Sequence, residues 1–436
     1  MDRTVAQSAM RKVYLRVLPF AVLTYFLCYI DRINVGFAAL TMNQDLGLDP
    51  AMYGMAAGAF FWGYVLFEVP SNLVLEKIGA RIWIARIMIT WGIISGATAF
   101  AVGPYSFMAI RFLLGVAEAG LFPGFVLFFT YWFPNGHRAR INAGFILALP
   151  VAVAAGAPVS TALLGLNGLF GLKGWQCLYI FEAIPTVLIG IAVFFYVTDG
   201  PDKARWLSAA ERDWLGGVLA GERREIAARH GAHVLRACFS PKILLLSLNY
   251  LGIGAASLGL LLFLPQIIKQ LGITNMQVGW VTMIPYLCGA VSMVGFGWLS
   301  DRIGDRRWLL FATCVVATVG LVIAGRTIGT WWSLGGITLA AIGLYGTKGP
   351  FWSMPTMLLT GPAAAAGIAW INSLGNLGGF IGPAAVGWAK ELTGSFAGGL
   401  YGLACCALVS AVVALFWLHI PRQMAGSAKV APVLAE

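Results

Sequence analysis

Charged residues are scarce in this sequence, at 11% of 436 residues, whereas 59% are hydrophobic and the mean hydropathy is +0.81. This balance excludes a soluble domain. Apolar runs of about 20 residues, the length that crosses a bilayer, recur along the whole chain. The composition therefore predicts an all-α polytopic membrane protein, with the lipid bilayer as its surroundings.

Histidine is scarcer still, and cysteine is scattered. The four histidines lie in loops or near helix ends, and no spacing typical of a nucleophile elbow or a phosphate-binding loop occurs. Most of the seven cysteines lie inside apolar runs, without the spacing of a metal site or a disulfide framework. We therefore expect no enzymatic activity, no bound metal and no organic cofactor.

Twelve apolar runs are long enough to form transmembrane helices, and one long polar segment separates the first six from the last six. The predicted helices cover residues 16–38, 52–75, 82–102, 105–133, 140–165, 175–197, 242–267, 277–300, 307–325, 334–359, 364–387 and 397–419. The predicted organisation is an N-terminal six-helix bundle over 1–197, a cytoplasmic linker over 198–241, a C-terminal six-helix bundle over 242–420 and a cytoplasmic tail over 421–436.

The net charge of +11 could indicate nucleic-acid binding, but the basic residues are sorted by loop. They concentrate in the N-terminus, in the linker and in alternate loops, and few lie in the opposite loops. By the positive-inside rule this sorting places both termini in the cytoplasm, as an even number of helices requires. We therefore expect no nucleic-acid partner, and we expect the basic residues of the linker at the inner headgroup surface rather than in a regulatory site.

A sequence repeat supports two pseudo-equivalent six-helix halves. Aligning Gly79 with Gly304, at an offset of 225 residues, also matches the charged residues around each glycine. The two copies are Glu76, Lys77, Gly79 and Arg81 in the first half, and Asp301, Arg302, Gly304 and Arg306 in the second. Parallel repeats around a site at the midplane are a transporter architecture. Each loop is interpreted as a gating clamp between helix ends, and the alternative is a positive-inside anchor with a turn glycine.

Four ionisable residues lie inside apolar runs of the first half. Arg32 stands beside Asp31 in helix one, and Arg111 with Glu118 forms a second unit in helix four. A charge at bilayer depth costs roughly 2.5 to 3.5 kcal/mol on insertion scales, so by default it marks a substrate or proton path. Two units of cation and carboxylate indicate an anion that moves together with protons. The structural alternative is a pair of buried ion pairs that only fix helix packing.

Helix geometry places the two arginines at similar depth. Arg32 lies roughly 24 Å along the outward-running helix one, and Arg111 lies roughly 21 Å above the inner face on the inward-running helix four. Two arginines that face one cavity can grip a carboxylate bidentately. Glu118 lies two turns after Arg111 on the same face, and Asp31 points about 100° away from Arg32.

The second half offers polar groups of another kind. Lys348 lies beside a Gly-Pro break in helix ten and is either a second substrate contact or a group that packs on the freed carbonyls. Asn372 and Asn376 share one face of helix eleven and suit substrate hydroxyls, unless one of them bonds a neighbouring helix. Tyr29 and Tyr64 are candidate cavity-lining hydroxyls. Three further residues are interpreted as packing or gating groups: Glu68, Gln176 and Glu182.

Six segments carry a resemblance to a known family. They are Tyr29-Ile-Asp31-Arg32-Ile-Asn34-Val-Gly-Phe37-Ala, Phe67-Glu-Val-Pro-Ser-Asn72, Arg111-Phe-Leu-Leu-Gly-Val-Ala-Glu118-Ala-Gly-Leu-Phe-Pro123-Gly, Tyr131-Trp-Phe-Pro134, Gly349-Pro-Phe-Trp352 and Asn372-Ser-Leu-Gly-Asn376-Leu-Gly-Gly. Together they resemble the anion:cation symporter family of the major facilitator superfamily, which transports sugar acids, tartrate, phthalate and hydroxyphenylacetate in bacteria. The resemblance implies alternating access and proton coupling, with Asp31 and Glu118 as the proton carriers. Glu76 and Lys77 depart from the superfamily pattern but preserve its charges.

The expected function is import of a small organic anion with protons across the bacterial inner membrane by a monomer. A hydroxy or sugar acid, tartrate, phthalate or hydroxyphenylacetate fits the charges equally well. A proton-coupled drug or metabolite exporter is the alternative of the same fold, although Gly156-Ala-Pro158 matches the exporter signature only in part. An anion channel is the alternative from another class, and the repeat with its clamp loops favours alternating access over it.

Overall fold

The computed structural model describes residues 3–228, 240–358 and 361–418. Within these ranges the chain is helical and has no β-strand, which confirms the all-α prediction. The α-helices are α1 (Arg3–Leu46), α2 (Pro50–Ile78), α3 (Ala80–Ala97), α4 (Pro104–Glu118), α5 (Leu121–Trp132), α6 (Asn135–Leu164), α7 (Gly174–Tyr196), α8 (Ala209–Ala228), α9 (Pro241–Lys269), α10 (Asn275–Ile303), α11 (Arg306–Arg326), α12 (Trp331–Gly346), α13 (Lys348–Leu358), α14 (Gly361–Thr393) and α15 (Phe396–Phe416). The predicted tail and residues 229–239 of the predicted linker lie outside the described residues.

Ten spans among the described residues are long and apolar enough to cross a membrane. They are α1, α2, α3, α4 joined with α5, α6, α7, α9, α10, α11 and α15. The predicted helices ten and eleven correspond to α12 with α13 and to α14. Ten of the twelve predicted transmembrane helices are therefore confirmed.

Among the helix boundaries that differ from the sequence prediction, two in the first half have a clear physical reason. Helix four was predicted as one segment, but α4 ends at Glu118 and α5 begins after Gly120, whose φ of 88° is in the left-handed region that favours glycine. Helix one begins at Arg3 instead of residue 16, because its polar first turns pack against the linker helix α8. The break in helix four brings Glu118 to the end of a helix, beside the centre of the molecule.

The two halves are in close contact at the end of the molecule predicted to be outer. A Cβ added at Gly54 of α2 would overlap the Pro383 carbonyl of α14, and one added at Gly279 of α10 would overlap the Thr161 side chain of α6. Small residues let helix backbones approach closely in membranes. The space between the halves is therefore closed toward this end.

The linker helix α8 is docked on the first half. Glu211 accepts hydrogen bonds from Lys12 Nζ at 2.8 Å and from Ser8 Oγ at 2.7 Å, both on α1. Farther along α8, Glu222 pairs with Arg138 Nη2 at 2.7 Å. Burial raises the pKa of Glu211, but its hydrogen bonds from Lys12 and Ser8 outweigh this and lower the pKa to about 2. The linker therefore contains a helix held by specific contacts.

Replacing Glu211 with glutamine is expected to loosen this docking. The pKa of Glu211 in the folded protein lies below its ordinary value of 4.5, so the contact stabilises the docked helix above pH 4.5 and is lost as the pH falls toward 2. Because Lys12 is partly exposed, we expect a loss of about 1 kcal/mol, or roughly fivefold faster amide exchange in α8 at neutral pH. Exposed Asp213, replaced with asparagine, is the control on the same helix. Unchanged exchange in the Glu211 variant would contradict the docking role.

Candidate substrate site

A central cavity lies between the two halves. It consists of two adjoining pockets that enclose about 570 and 510 Å³ of space between protein atoms, open solvent included. Residues of both halves line both pockets: Tyr29, Arg32, Leu149, Tyr250, Lys348 and Asn376. Because these six are shared, the pockets form one continuous site.

Six of the seven predicted substrate contacts line this cavity. They are Tyr29, Arg32, Tyr64, Lys348, Asn372 and Asn376. The seventh, Arg111, lines neither pocket and is only 1% exposed. The predicted residues of α1, α2, α13 and α14 therefore line the cavity, whereas Arg111 of α4 lies behind its wall.

Glu118 pairs with Arg32 of α1, not with Arg111 of its own helix. Arg32 Nε donates to Glu118 Oε1 at 2.7 Å, and Arg32 Nη2 contacts the same oxygen. Cys28, one turn before Arg32, donates its thiol to this oxygen at 3.0 Å. The intrahelical pair of Arg111 and Glu118, which was the packing alternative, is thus not formed, because Arg32 reaches Glu118 from α1.

The predicted grip of two arginines is also not formed in this structure. The guanidinium carbon of Arg32 lies 5.3 Å from the centre of the Phe60 ring, and that of Arg111 lies 5.2 Å from the same ring. Arg32 is further surrounded by the rings of Tyr29 and Tyr64, each at 5.2 Å. Aromatic faces stabilise a desolvated cation. Of the two arginines, only Arg32 lies on the cavity wall, so only Arg32 is positioned to meet an anion there.

Lys348 brings a second cation to the cavity from the other half. It is the first residue of α13, directly after the break at Thr347 that separates α13 from α12. Its Nζ lies 5.0 Å from the centre of the Tyr250 ring. Among the described residues no carboxylate forms an ion pair with Lys348. A desolvated ammonium without a counterion attracts an anion strongly.

A carboxylate bridge joins the halves beside the cavity. Asn372 Nδ2 donates to Glu68 Oε1 at 2.8 Å, and Ser373 Oγ donates to Glu68 Oε2 at 2.6 Å. Glu68 belongs to α2 and the two donors belong to α14. Asn372 therefore makes the interhelical contact that was the alternative for one asparagine, while Asn376 lines both pockets.

Asp31 lies behind the cavity wall in a polar environment of its own. Its Oδ1 accepts from Ser95 Oγ at 3.0 Å and from Asn34 Nδ2 at 3.2 Å, and its Oδ2 accepts from Thr186 Oγ1 at 3.3 Å. It lines neither pocket. The two acids predicted to carry protons thus differ in placement, because Glu118 contacts the cavity arginine and Asp31 does not.

The glycines of both predicted gating loops adopt positive φ angles. Gly79 has a φ of 100° and Gly304 a φ of 72°, conformations that favour glycine and end α2 and α10. In the second loop, Arg306 Nη2 lies 3.9 Å from Asp301 Oδ1. This distance is at the long end of an ion pair, with Asp301 exposed. The two glycines share a positive φ but differ in ψ, which is 151° at Gly79 and −7° at Gly304, so the two loops turn differently.

The acid that meets the first loop is one the sequence prediction missed. Asp199, just after α7, accepts from the backbone N–H of Arg81 at 2.9 Å. The side chains of Glu76 and Lys77 make no ion pair among the described residues. The contact seen at the first loop is therefore from Arg81 of α3 to Asp199, three residues after the end of α7. The acidic start of the linker, Asp199-Gly-Pro-Asp202, was the available signal.

Several cavity residues gave little or no signal in the sequence. Tyr250 and Ser257 of α9 lie in an unremarkable apolar run, and Tyr25 lies one turn before Tyr29. Trp352 lies within the Gly-Pro-Phe-Trp segment, which marked the region but not the side chain that faces the cavity. Aromatic residues in apolar runs are usually packing groups, so only the three-dimensional arrangement identifies these as lining residues.

Comparison with known proteins agrees with this architecture. The sequence pattern of the Major Facilitator Superfamily matches residues 21–383 and again 246–432. The chain belongs to the major facilitator superfamily. It is therefore a multi-pass membrane transporter. A solved bacterial homologue of the human lysosomal transporter Spinster shares the fold with a TM-score of 0.75, at 18% identity over 92% of this chain and 95% of that one.

Two relatives are similar over nearly the full length of this transporter. One, from Agrobacterium vitis, is 48% identical over 99% of both chains and is provisionally named a tartrate transporter. The other, from Acinetobacter baumannii, is 40% identical over 96% of both chains and is named a quinolone resistance transporter. Names among the relatives thus point to organic-acid transport and, in one case, to drug resistance.

Proposed function

We propose that this transporter imports a small hydroxy or sugar acid anion, with a dicarboxylate such as tartrate as the best fit, together with protons. It works by alternating access as a monomer in the bacterial inner membrane, with both termini in the cytoplasm. The observation that carries the proposal is the pair of cations in one cavity. Arg32 comes from the first half and Lys348 from the second, and of these two only Arg32 forms an ion pair with an acid, Glu118.

The charge count of the cavity favours a dianion. With Glu118 ionised, Arg32 is compensated and Lys348 is the uncompensated cation. With Glu118 protonated, both cations are uncompensated, and two carboxylates on one substrate neutralise both. The same cavity is lined by Tyr29, Tyr250 and Asn376, whose side chains can form hydrogen bonds with substrate hydroxyls.

Competition for Arg32 supplies the coupling. A substrate carboxylate that binds Arg32 displaces Glu118, and the displaced carboxylate takes up a proton because it stays desolvated. By linkage, a proton on Glu118 frees Arg32 and strengthens substrate binding by the same factor. Substrate and proton therefore enter the cavity together, and loss of either one favours release of the other.

A substrate that contacts both halves also favours closure of the cavity. An anion held by Arg32 of α1 and Lys348 of α13 stabilises the state in which these helices are close. A substrate bound to only one of these two cations does not connect the halves. The 48% identical relative named for tartrate transport supports this class of substrate, because its name describes a hydroxy dicarboxylate.

Drug export is the second candidate, and the 40% identical relative named for quinolone resistance favours it. Quinolones carry a carboxylate, so this candidate would use the same Arg32 contact. Quinolone binding would gain nothing from Lys348, because a quinolone also carries a basic amine that the lysine repels. The two candidates therefore differ in the charge of the ligand that stabilises the protein.

Thermal-shift measurements on the purified transporter separate the candidates. We expect tartrate and related dicarboxylates to raise the melting temperature by several degrees at saturation, since ligand at 100 times its Kd adds about 2.7 kcal/mol. If a proton is taken up with the substrate, linkage makes the rise larger at pH 6 than at pH 8. Stabilisation by quinolones or cationic drugs and by no organic acid would overturn the proposal.

Replacing Lys348 with methionine is expected to remove the preference for dicarboxylates. The loss of one charge-assisted contact of about 1.5–3 kcal/mol lowers the affinity for tartrate roughly 10- to 100-fold. Affinity for a monocarboxylate of similar size should change by less than about threefold, because Arg32 holds its single carboxylate. Isothermal titration calorimetry measures both. Lys390, which bonds the Gly394 carbonyl at the end of α14, provides the matched control as Lys390→Met. Equal losses for both ligands would contradict the assignment.

A further inference from the structure

A second buried polar cluster lies behind the cavity wall in the first half. It contains Asp31 of α1, Ser95 of α3, Ser160 of α6, and Glu182 and Thr186 of α7. Asp31 is 2% exposed, Glu182 is 6% exposed, and the three hydroxyl residues are fully buried. None of the five lines the central cavity. The substrate contacts described above therefore give no role to Glu182.

Glu182 is part of α7, and Asp31 of α1 contacts the next turn of the same helix. Ser160 Oγ donates to Glu182 Oε1 at 2.7 Å. One turn further along α7, Thr186 Oγ1 donates to Asp31 Oδ2 at 3.3 Å, and Asp31 is a charged neighbour of Glu182. Two buried carboxylates that are neighbours repel each other when both are ionised. A proton on either one relieves the repulsion.

Several buried polar atoms without a hydrogen-bond partner belong to residues around these two acids. Among the described residues, buried atoms without a hydrogen-bond partner include Glu182 Oε2, Asn34 Oδ1, Tyr179 Oη, and Arg111 Nε and Nη1. Tyr179 lies one turn before Glu182, and Asn34 lies one turn after Asp31. Buried polar groups are nearly always bonded, to water where protein offers nothing. The cluster therefore suits hydration and proton transfer better than dry packing.

The charges of the cluster require one proton. The ionisable groups that face Glu182 are Asp31 from α1 and Tyr179 on α7 itself, and Arg111 from α4 has both Tyr179 and Asp31 among its neighbours. Neighbouring α3 and α6 contribute the hydroxyls of Ser95 and Ser160. Glu118 is also a charged neighbour of Asp31 and Arg111, but it is paired with Arg32. With that pair counted as neutral, one cation for two acids leaves a net negative charge, and one proton shared by Asp31 and Glu182 neutralises the cluster. Desolvated charge is expensive, so the neutral state is favoured.

We propose that Glu182 is a proton-carrying residue that shares one proton with Asp31. It lies one turn from Thr186 toward the N-terminus of α7, the end predicted to be outer, so it stands between Asp31 and that face. In the transfer step the Glu182 carboxyl gives up its proton as the Asp31 carboxylate takes one, and the charge of the cluster does not change. The proposal rests on the proposed proton symport and adds the route by which protons reach Asp31.

Glu182→Gln tests this role, with Ser160→Ala as the matched control. Glutamine keeps an oxygen that accepts from Ser160 but carries no exchangeable acidic proton, and Ser160→Ala removes the same hydrogen bond but keeps the acid. In proteoliposomes with an acidic exterior, we expect Glu182→Gln to lower substrate accumulation about 10-fold, with exchange of internal for external substrate within about twofold of wild type. Ser160→Ala should preserve both. Parallel loss of accumulation and exchange in Glu182→Gln would show a packing role and overturn the proposal.

An infrared pH titration of the purified protein separates this proposal from the proposed function. The wild-type protein should show a protonated-carboxyl band that loses part of its intensity in Glu182→Gln and is retained in Ser160→Ala. This measurement needs no transport. A wild type that does not accumulate substrate along the pH gradient would refute proton symport, while the band would still decide whether Glu182 holds a proton. An unchanged band in Glu182→Gln would overturn the proposal.

Discussion

Arg32→Gln is expected to lower the uptake rate at low substrate concentration at least about 100-fold, equivalent to roughly 2.7 kcal/mol. Arg32 is the cavity cation that pairs with Glu118 and is enclosed by Tyr29, Phe60 and Tyr64. Its loss removes the substrate carboxylate contact. It also leaves Glu118 buried without its partner, and breaking a buried pair costs about 3–5 kcal/mol unless the acid takes a proton.

Arg32→Lys is the matched variant for this prediction. Lysine keeps the positive charge but loses the planar fork that can contact Glu118 and a substrate carboxylate together. We expect uptake between that of wild type and that of Arg32→Gln, and a monodisperse elution profile shows that each variant is folded. Wild-type uptake in a folded Arg32→Gln protein would contradict the role of Arg32 in substrate binding.

Glu118→Gln is expected to abolish accumulation and leave exchange. Glutamine mimics the protonated acid, so Arg32 stays available and substrate still binds, but no proton moves with it. With an acidic exterior, the ratio of internal to external substrate should fall from well above one to about one, while exchange stays within about threefold of wild type. Accumulation that matches wild type would contradict the coupling role of Glu118.

Cys28→Ala provides a control for Glu118→Gln. It removes a neutral hydrogen bond to the same carboxylate oxygen but keeps the acid and its arginine. Accumulation should therefore persist in Cys28→Ala, with the proton still carried by Glu118. If both variants lost accumulation and exchange to the same extent, the effect would reflect disturbed packing rather than lost coupling.

The fold follows closely from hydrophobic run length, because a bilayer requires about 20 apolar residues per crossing. The ten confirmed spans fall where the runs predicted them. The break after Glu118 does not follow from run length, because a glycine inside an apolar run is compatible with both a continuous helix and a left-handed break. Gly120 shows the second behaviour in the structure. The docked start of α1 depends on Glu211, about 200 positions away, and local pattern cannot reveal such a contact.

The sequence identifies the residues of the candidate site better than it identifies which of them contact each other. Intramembrane charge and helical spacing identified Arg32, Lys348 and Asn376 as cavity residues, because a polar side chain in lipid must face a protein interior. The sequence did not identify Arg32 as the partner of Glu118, because the two residues lie on different helices and only tertiary packing brings them together. Tyr250 carried no signal because an aromatic residue in an apolar run looks like packing.

Uptake of labelled tartrate by wild-type protein in proteoliposomes, recorded together with internal pH, tests proton symport most directly. With an acidic exterior and no membrane potential, tartrate should accumulate inside above its external concentration. With equal pH on both sides, an inward tartrate gradient should acidify the interior, and cationic drugs should leave both signals unchanged. Tartrate that only equilibrates, or that enters without any change in internal pH, would contradict proton symport.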